Sequence, residues 1–133
     1  MKKGIVVGAD TVVYVGNKKI IGKPRDFDEA KRNLKILFSK PSWVYTGLAL
    51  VDVESRKKLV DYEKTKIFMS PLSDLEIDRY HKRVNPFDKA GGFDIEGWGS
   101  IFIHRIEGCY SNVIGLPMAK LSSMLKKMGI AVL

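Results

Sequence analysis

Asp10 and Thr11 are the first residues whose types and position suggest chemistry. They follow the apolar run 4–8, and a carboxylate at the end of a buried strand needs a polar or ionic partner. Asp10 could hold a hard divalent cation or accept a proton from an attacking water, while Thr11 could donate a hydrogen bond to a phosphate or a base. From the tetrapeptide 8–11 alone, a carboxylate that merely caps a turn is slightly the better interpretation.

Lys23 is the second candidate, because the tripeptide 22–24 (Gly-Lys-Pro) comes just before a predicted helix. The N-terminus of a helix presents free N–H groups and a partial positive charge, so it attracts phosphate, and a lysine at that point adds a full charge. The glycine and lysine spacing of a P-loop is absent. Taken alone, Lys23 reads as an ordinary surface lysine in a turn.

The third candidate is the long loop 84–99, which is rich in glycine, proline and charge. Lys89 could neutralise a phosphate, and Asp88 could orient that lysine or a metal-bound water. Glu96 could accept hydrogen bonds from the edge of a base, and the glycine pair 91–92 would let the backbone approach a ligand closely. A structureless loop of this length usually has a function, so a binding role is favoured over an ordinary glycine-rich turn.

The apolar pattern predicts strands and helices in alternation that would position these three segments. Predicted strands cover 4–8, 12–15, 20–21, 43–53, 59–69, 100–106 and 130–133, with a hairpin turn at Gly16 and Asn17. Predicted helices start after Asp26 and Ser73, each with a glutamate three residues later as in a capping box, and at Pro117. We therefore expect an α/β fold, a mixed β-sheet with flanking helices, in a single domain over 1–133.

The whole composition limits the class of protein. The chain has 133 residues and a formal net charge of +8, which favours anionic partners such as nucleotides or nucleic acid. The single cysteine, Cys109, excludes an internal disulfide framework and fits a reducing compartment. No apolar run reaches the roughly 18 residues that a membrane span needs, so we expect a cytoplasmic protein without membrane partners. His81 is expected to be solvated on a polar helix face.

Five segments together resemble the Maf family of nucleotide pyrophosphatases. They are 6–13, 22–24, 43–47, 88–97 and 106–117. Each is weak by itself, but they occur in the order of the family's motifs and cover almost the whole chain. The resemblance implies a Maf/ITPase-like fold and hydrolysis of non-standard or pyrimidine nucleoside triphosphates to the monophosphate and pyrophosphate, in nucleotide-pool cleaning. It also implies a divalent cation, Mg²⁺ or Mn²⁺, and a homodimer by analogy with similar proteins.

The resemblance also implies roles for individual residues. Asp10 matches the family's proton acceptor and contributes to its metal site, and Lys23 matches a lysine that is directed at phosphate. Thr11 matches a specificity residue. Glu96 occupies a specificity position where the dTTP/UTP subgroup has glutamine and the subgroup that takes methylated GTP has glutamate. The neighbouring residues are closer to the dTTP/UTP type, which we favour, with a 7-methyl-GTP type as the alternative.

One departure from the family lies at the start of the sequence. Members begin with a strand, a Ser-x-Ser-Pro-Arg-Arg phosphate-binding turn, a helix, a further acidic metal-site residue and a lysine, whereas Met1 falls just before the strand that leads to Asp10. We therefore expect a chain that lacks one phosphate cradle and one metal ligand. A catalytically impaired nucleotide-binding remnant is thus a second hypothesis, and a basic nucleic-acid-binding module is a third and weaker one.

Overall fold

The fold is built from five strands and four α-helices within residues 3–16 and 19–133, which the computed structural model describes. The strands are β1 (Ile5–Val15), β2 (Lys19–Ile21), β3 (Ser42–Asp52), β4 (Lys58–Met69) and β5 (Ile103–Glu107). The helices are α1 (Phe27–Ser39), α2 (Asp74–Arg83), α3 (Tyr110–Ile114) and α4 (Met118–Lys127). Two short 3₁₀ turns, Ala90–Gly92 and Trp98–Ile101, shape the long loop before β5.

The strands form one sheet in the order β2-β1-β3-β4-β5, and each of these pairings is antiparallel. We expected a mixed sheet with some parallel neighbours. Helix α1 does connect two strands that run in the same direction, β2 and β3, but β1 lies between them and is antiparallel to both. The α/β class with flanking helices is confirmed, whereas the described strands form no parallel pair.

The helices that build the core cover one face of the sheet. Alternate side chains of β3 are buried on that face, namely Ser42, Val44, Thr46, Leu48 and Leu50. At one end of the sheet α1 and α2 contribute Leu34, Leu37 and Ile77 to the main cluster, and at the other end Leu121 and Met124 of α4 pack on β3. On the opposite face the ring of Trp43 stacks on that of Tyr14, with 6.5 Å between the ring centroids.

Two helix starts follow the predicted caps, although only one forms a full capping box. The Ser73 hydroxyl accepts from the Glu76 N–H while the Glu76 carboxylate accepts from the Ser73 N–H, at 3.2 and 2.9 Å. Asp26 accepts from the Glu29 N–H at 2.8 Å. The Glu29 carboxylate, however, bonds the Arg25 guanidinium and backbone N–H, because this charged partner lies one residue before the cap.

The predicted hairpin at the sheet edge is confirmed by the register Val13↔Ile21 and Val15↔Lys19 between β1 and β2. Gly16 takes the left-handed conformation that such a turn needs, with φ of +57°. The second predicted turn residue, Asn17, lies outside the described residues.

The first half of β1 differs most from expectation. We predicted a strand over 4–8 that is buried on both faces, but β1 runs on to Val15, and Val6 and Val7 are 47% and 44% exposed. Among the described residues this half of β1 has a strand neighbour on one side only, since β2 pairs only with Val13–Val15. An apolar composition indicates a strand, but it does not show whether that strand has a partner on each side.

The C-terminal predictions are partly wrong. Residues 130–133 are exposed and form no strand, because the Ile130 N–H bonds the Leu125 carbonyl at 2.9 Å and so belongs to the cap of α4. Pro117 precedes α4 as its N-cap, one residue earlier in the helix than predicted. The short helix α3 was not predicted at all.

Candidate active site

A cavity of about 420 Å³ lies beside β1 and brings the three candidate segments together. It is lined by Asp10, Thr11, Lys23, Asp88, Lys89 and Glu96, with Ala9, Val13, Val44, Ala90, Phe93, Asp94, Ile95, Val113, Ile114 and Gly115 completing the wall. The volume lies within the range typical of small-molecule sites, about 300–1,000 Å³. The six charged and polar candidates, from Asp10 to Glu96, therefore line one common space, whereas the glycine pair 91–92 does not line it.

Asp10 and Thr11 approach the cavity from the two faces of β1. Thr11 lies opposite Thr46 of β3, and the two hydroxyls are hydrogen-bonded at 2.9 Å on the face that the helices cover. Asp10 is opposite Gly47 and is exposed, and alternation along a strand directs its side chain to the other face. Both can line one cavity because no strand among the described residues lies beside β1 on the side away from β3 at this point, which leaves the space open around the strand edge.

Lys23 reaches the cavity from the segment between β2 and α1, but not in the way the sequence suggested. We expected Lys23 to add its charge to a free helix N-terminus. The Asp26 carboxylate already caps α1 by accepting from the Glu29 N–H, so this N–H group is not free to bind a ligand. The lysine instead contributes its own charge, and its neighbour Pro24 packs against Gly92 of the long loop.

Asp88 and Lys89 form an ion pair at the mouth of the cavity, with 3.0 Å between Oδ1 and Nζ. The hydrogen bond from Lys89 holds the pKa of the Asp88 carboxyl below its usual value, and the charge of Lys23 lowers that pKa further. Lys23 therefore lies close enough to Asp88 to lower the pKa of its carboxyl, although the two residues are 65 positions apart in the chain. The cavity holds both lysines and an ionised Asp88.

The loop that carries Glu96 is fixed by a hydrogen-bond network around Asp94. The Tyr80 hydroxyl of α2 donates to Asp94 Oδ1 at 2.5 Å and accepts from the Asp94 N–H at 2.9 Å. The Gly99 N–H donates to the same carboxylate oxygen at 2.9 Å. Burial, followed by the hydrogen bond to Asp94, raises the pKa of Tyr80 far above its usual value, so the hydroxyl stays protonated as a donor.

Asn112 fixes the opposite wall of the cavity. It is fully buried, and its Nδ2 donates to the carbonyl of Val44 at 3.1 Å and to the hydroxyl of Thr65 at 3.0 Å. Helix α3 is thereby attached to β3 and β4, which places residues 113–115 beside Thr11. The Thr11 hydroxyl also reaches the Gly115 carbonyl at 3.4 Å.

Sequence reasoning found the residues that face the cavity and missed those that hold its walls. Tyr80 reads as part of an amphipathic helix, and Asn112 as a polar residue in a turn. A buried asparagine or tyrosine needs hydrogen-bond partners, but the sequence does not show which distant residues supply them. Tyr80 lies just before the charged, glycine-rich loop 84–99, and Asn112 lies within the segment 106–117 that resembles the Maf family.

The cavity carries charges of both signs. Four carboxylates and two lysines line it, and Asp88 and Asp94 are engaged by Lys89, Tyr80 and Gly99. Asp10 and Glu96 have no hydrogen-bond partner among the described residues. Those residues also contain no group of three His, Cys, Asp or Glu side chains that could hold a metal alone. This donor set suits a cation such as Mg²⁺ that takes one carboxylate from a protein and further oxygens from phosphate and water.

The part of the chain that the structure describes contains no helix with the length and apolar character needed to cross a membrane.

Comparison with known proteins finds relatives that match almost the whole chain. Three similar proteins are named dTTP/UTP pyrophosphatase. That of Caldicellulosiruptor saccharolyticus is 43% identical over 128 residues, 96% of this chain and 64% of the relative. That of Pelotomaculum thermopropionicum is 44% identical over 133 residues, 100% of this chain and 69% of the relative. That of Alkaliphilus oremlandii is 47% identical over 122 residues, 92% of this chain and 62% of the relative.

The chain thus spans about two thirds of the length of these curated relatives, between 62% and 69%. The family model of Maf-like proteins matches residues 1–128, which include β1 to β5 and all the residues that line the cavity. On this match, and on the identity shared with the three relatives over almost its whole length, the chain belongs to the Maf family.

Proposed function

We propose that this protein hydrolyses a nucleoside triphosphate to the monophosphate and pyrophosphate. One observation carries the proposal: Asp10, Lys23 and the 88–96 loop, which are distant in sequence, line a single cavity large enough for a nucleotide. The three relatives are named dTTP/UTP pyrophosphatase, and that name describes this reaction. A cytoplasmic location is part of the proposal, because the substrate is a cytoplasmic metabolite and the sequence holds a single cysteine.

The reaction needs a water to attack the α-phosphorus while the bond to the bridging oxygen of the β-phosphate breaks. Asp10 is the exposed carboxylate without a hydrogen-bond partner among the described residues, so it is free to accept the proton of that water. Lys23 and Lys89 neutralise charge that builds on the phosphate oxygens as the bond breaks. Pyrophosphate leaves with the electron pair of the broken bond, and the nucleoside monophosphate keeps the oxygen of the water.

A divalent cation, Mg²⁺ or Mn²⁺, belongs to this proposal as a companion of the substrate. Asp10 would hold it from the protein, and the phosphates and water would supply its other ligands. When bound, the ion draws negative charge from the phosphates and makes water a better nucleophile. It would also offset the repulsion between a triphosphate and the Asp10 carboxylate, which the two lysines alone do not remove.

The base would lie toward Glu96 and Thr11, since both line the cavity and both match specificity positions of the family. The names of the relatives favour thymine and uracil. The carboxylate of Glu96 accepts hydrogen bonds but donates none, and this favours a base with two neighbouring donors, as in 7-methylguanine. We place the dTTP/UTP type first and retain the methylated GTP type as the alternative.

A second candidate function is nucleotide binding without turnover. It is favoured by the open side of the cavity along β1 and by the presence of only two lysines among the described lining residues. A triphosphate carries more negative charge than two lysines balance. Such a protein would bind nucleotides but release pyrophosphate very slowly.

Pyrophosphate release from dTTP, UTP and 7-methyl-GTP in the presence of Mg²⁺ tests the proposal. The Asp10→Asn variant should release pyrophosphate about 10²- to 10⁴-fold more slowly, because the amide cannot take the proton. Asp28→Asn, a change of an exposed carboxylate on α1, is the matched control and should leave the rate unaltered. Equal rates in the wild type and Asp10→Asn would remove Asp10 from the mechanism, and nucleotide affinity without any turnover would favour the binding function.

A further inference from the structure

Thr46 of β3 lies directly behind the cavity wall without lining the cavity itself. It is fully buried, and its position opposite Thr11 brings the two hydroxyls to 2.9 Å. Among the described residues, Thr11 is the only hydrogen-bond partner of the Thr46 hydroxyl. A buried hydroxyl cannot turn to water for another partner, so this single contact determines what both hydroxyls do.

The direction of this hydrogen bond follows from the number of protons. Each hydroxyl carries one proton and two lone pairs. The Thr46 proton has no acceptor among the described residues except Thr11 Oγ1, whereas the Thr11 hydroxyl also reaches the Gly115 carbonyl at 3.4 Å. A carbonyl only accepts, so the Thr11 proton points to Gly115 and the proton between the two threonines comes from Thr46. The reverse direction would leave the Thr46 proton buried without an acceptor, which is unfavourable.

The proton of the Thr11 hydroxyl therefore lies on the cavity side, where it is held weakly. The 3.4 Å between Thr11 Oγ1 and the Gly115 oxygen is longer than the about 2.5–3.0 Å of a typical O–H···O bond. Both residues line the cavity, so an oxygen acceptor on a ligand can replace the Gly115 carbonyl at small cost. Thr11 thus offers a donor to a ligand, and Thr46 holds its side chain in the rotamer that does so.

We propose that Thr46 is a positioning residue that makes Thr11 a hydrogen-bond donor to a carbonyl oxygen of the nucleotide base. This inference rests on the proposed function, in which the base lies toward Thr11 and Glu96. The carboxylate of Glu96 only accepts hydrogen bonds, so the two side chains together match a carbonyl that lies beside a ring N–H. Uracil and thymine have this pair at O4 and N3–H, and guanine has it at O6 and N1–H.

Bases with an amino group at that edge do not match the pair. Cytosine presents amino hydrogens where uracil presents O4, and these hydrogens meet the proton of Thr11 instead of a free lone pair. Its N3 has a lone pair and no hydrogen, so it also faces the Glu96 carboxylate without a donor between them. The site therefore selects the keto bases, and UTP and CTP are the matched pair that reports on it.

The test is the affinity of the full chain for α,β-methylene-UTP and α,β-methylene-CTP with Mg²⁺, measured by isothermal titration calorimetry. Neither analogue is cleaved between the α- and β-phosphates, so binding is measured whether or not the protein hydrolyses UTP. The wild type should bind the UTP analogue at least about fivefold more tightly than the CTP analogue. Thr46→Val should reduce this ratio by about threefold, because Thr11 can then occupy all of its staggered rotamers. Thr11→Val should reduce the ratio at least as much, since the donor itself is lost.

Three further variants separate positioning from a general effect on the fold. Thr46→Ser keeps the hydroxyl and should retain the ratio of the wild type. Ser42→Ala should also retain it, although it removes another fully buried hydroxyl from the same face of β3, one that has no hydrogen-bond partner. Adding Thr46→Val to Thr11→Val should change the ratio no further, because Thr46 acts only through Thr11.

Circular dichroism of each variant confirms that it is folded, and Thr11→Val tests the donor even where Thr46→Val does not fold. The proposal would be overturned by equal affinity of the wild type for the two analogues, or by an unchanged ratio in Thr11→Val or Thr46→Val. It would also be overturned if Ser42→Ala or Thr46→Ser lowered the ratio as much as Thr46→Val. Slow UTP hydrolysis with the expected binding ratios would count against the proposed hydrolysis alone, whereas a wild type that binds neither analogue would overturn both.

Discussion

Tyr80 and Asp94 exchange hydrogen bonds in both directions, since the tyrosine hydroxyl donates to the carboxylate and accepts from the backbone N–H of the same residue. The two residues belong to α2 and to the long loop, and this pair is how the helix holds that loop. Glu96, two residues after Asp94, is thereby positioned in the cavity wall without a hydrogen bond of its own to the described residues. The position of the cavity wall therefore depends on a helix that contributes none of the residues lining the cavity.

Tyr80→Phe should destabilise the protein by about 1–3 kcal/mol, because it leaves the Asp94 carboxylate and N–H without their shared partner. Urea unfolding followed by circular dichroism measures the change. Tyr62→Phe is the matched control, because Tyr62 is 49% exposed and its hydroxyl has no hydrogen-bond partner among the described residues. A loss of stability as large in Tyr62→Phe as in Tyr80→Phe would contradict this role for the pair.

Gly99→Ala should also disturb the loop, for a steric reason. A Cβ at this position would overlap the backbone carbonyl of Asp94, so the backbone itself must move. Inserting an atom into such a packed position costs about 1–3 kcal/mol. Gly47→Ala on β3 is the control, since a Cβ there meets no atom within 4 Å. The difference in urea midpoint between the two variants measures the effect, and equal midpoints would show that the loop adapts freely.

The sequence predicted those parts of the molecule that depend on local pattern. The capping box at Ser73, the strand pair β3 and β4 and the buried face of α1 all follow from residue spacing, which reports directly on local geometry. The convergence of Asp10 and Lys23 on one cavity followed instead from the order of the family's motifs. From spacing alone, Asp10 was better interpreted as a carboxylate that caps a turn, and Lys23 as an ordinary surface lysine.

The sequence did not predict features that depend on which distant element is present. The first half of β1 has the composition of a buried strand, yet Val6 and Val7 are exposed, because among the described residues only β3 pairs with them. His81 looked solvated on a polar helix face, yet it is only 8% exposed because Phe27 and Tyr80 lie against its ring. In both cases burial is set by a neighbour that the local pattern does not reveal.

The buried His81 should make stability fall in mildly acidic solution. Burial lowers the pKa of this imidazole below its usual 6.5, and the Lys31 charge acts in the same direction while Asp78 opposes them. Between the folded and unfolded pKa values the unfolded chain binds the extra proton, so stability rises with pH in that window. The contribution is therefore fully present above about pH 6.5 and is lost as the pH falls toward the folded pKa.

The measurement is urea unfolding of the wild type and His81→Phe at a series of pH values below neutrality. The variant should lose less stability between pH 6.5 and the folded pKa, because it has no imidazole to protonate. His104→Phe is the control, since His104 is exposed on β5 and bonds the Ser70 hydroxyl at 2.9 Å. The same pH slope in the wild type and His81→Phe would show that other groups cause the acid sensitivity.

Glu96→Gln should change which base the cavity prefers. A carboxylate can pair with two neighbouring donors, such as N1–H and the exocyclic amino group of guanine, whereas an amide can accept from N3–H of uracil and donate to its O4. One unmatched polar group at such a contact costs about 1–3 kcal/mol, which corresponds to about 5- to 150-fold in affinity. The ratio of the dissociation constants for 7-methyl-GTP and dTTP should therefore shift toward dTTP by at least about fivefold.

Glu107→Gln on β5, where the carboxylate pairs with Arg105 outside the cavity, should leave the ratio unchanged. Because the comparison uses binding rather than turnover, it distinguishes the two base types even if hydrolysis is slow, and an unchanged ratio in Glu96→Gln would mean that this carboxylate does not contact the base.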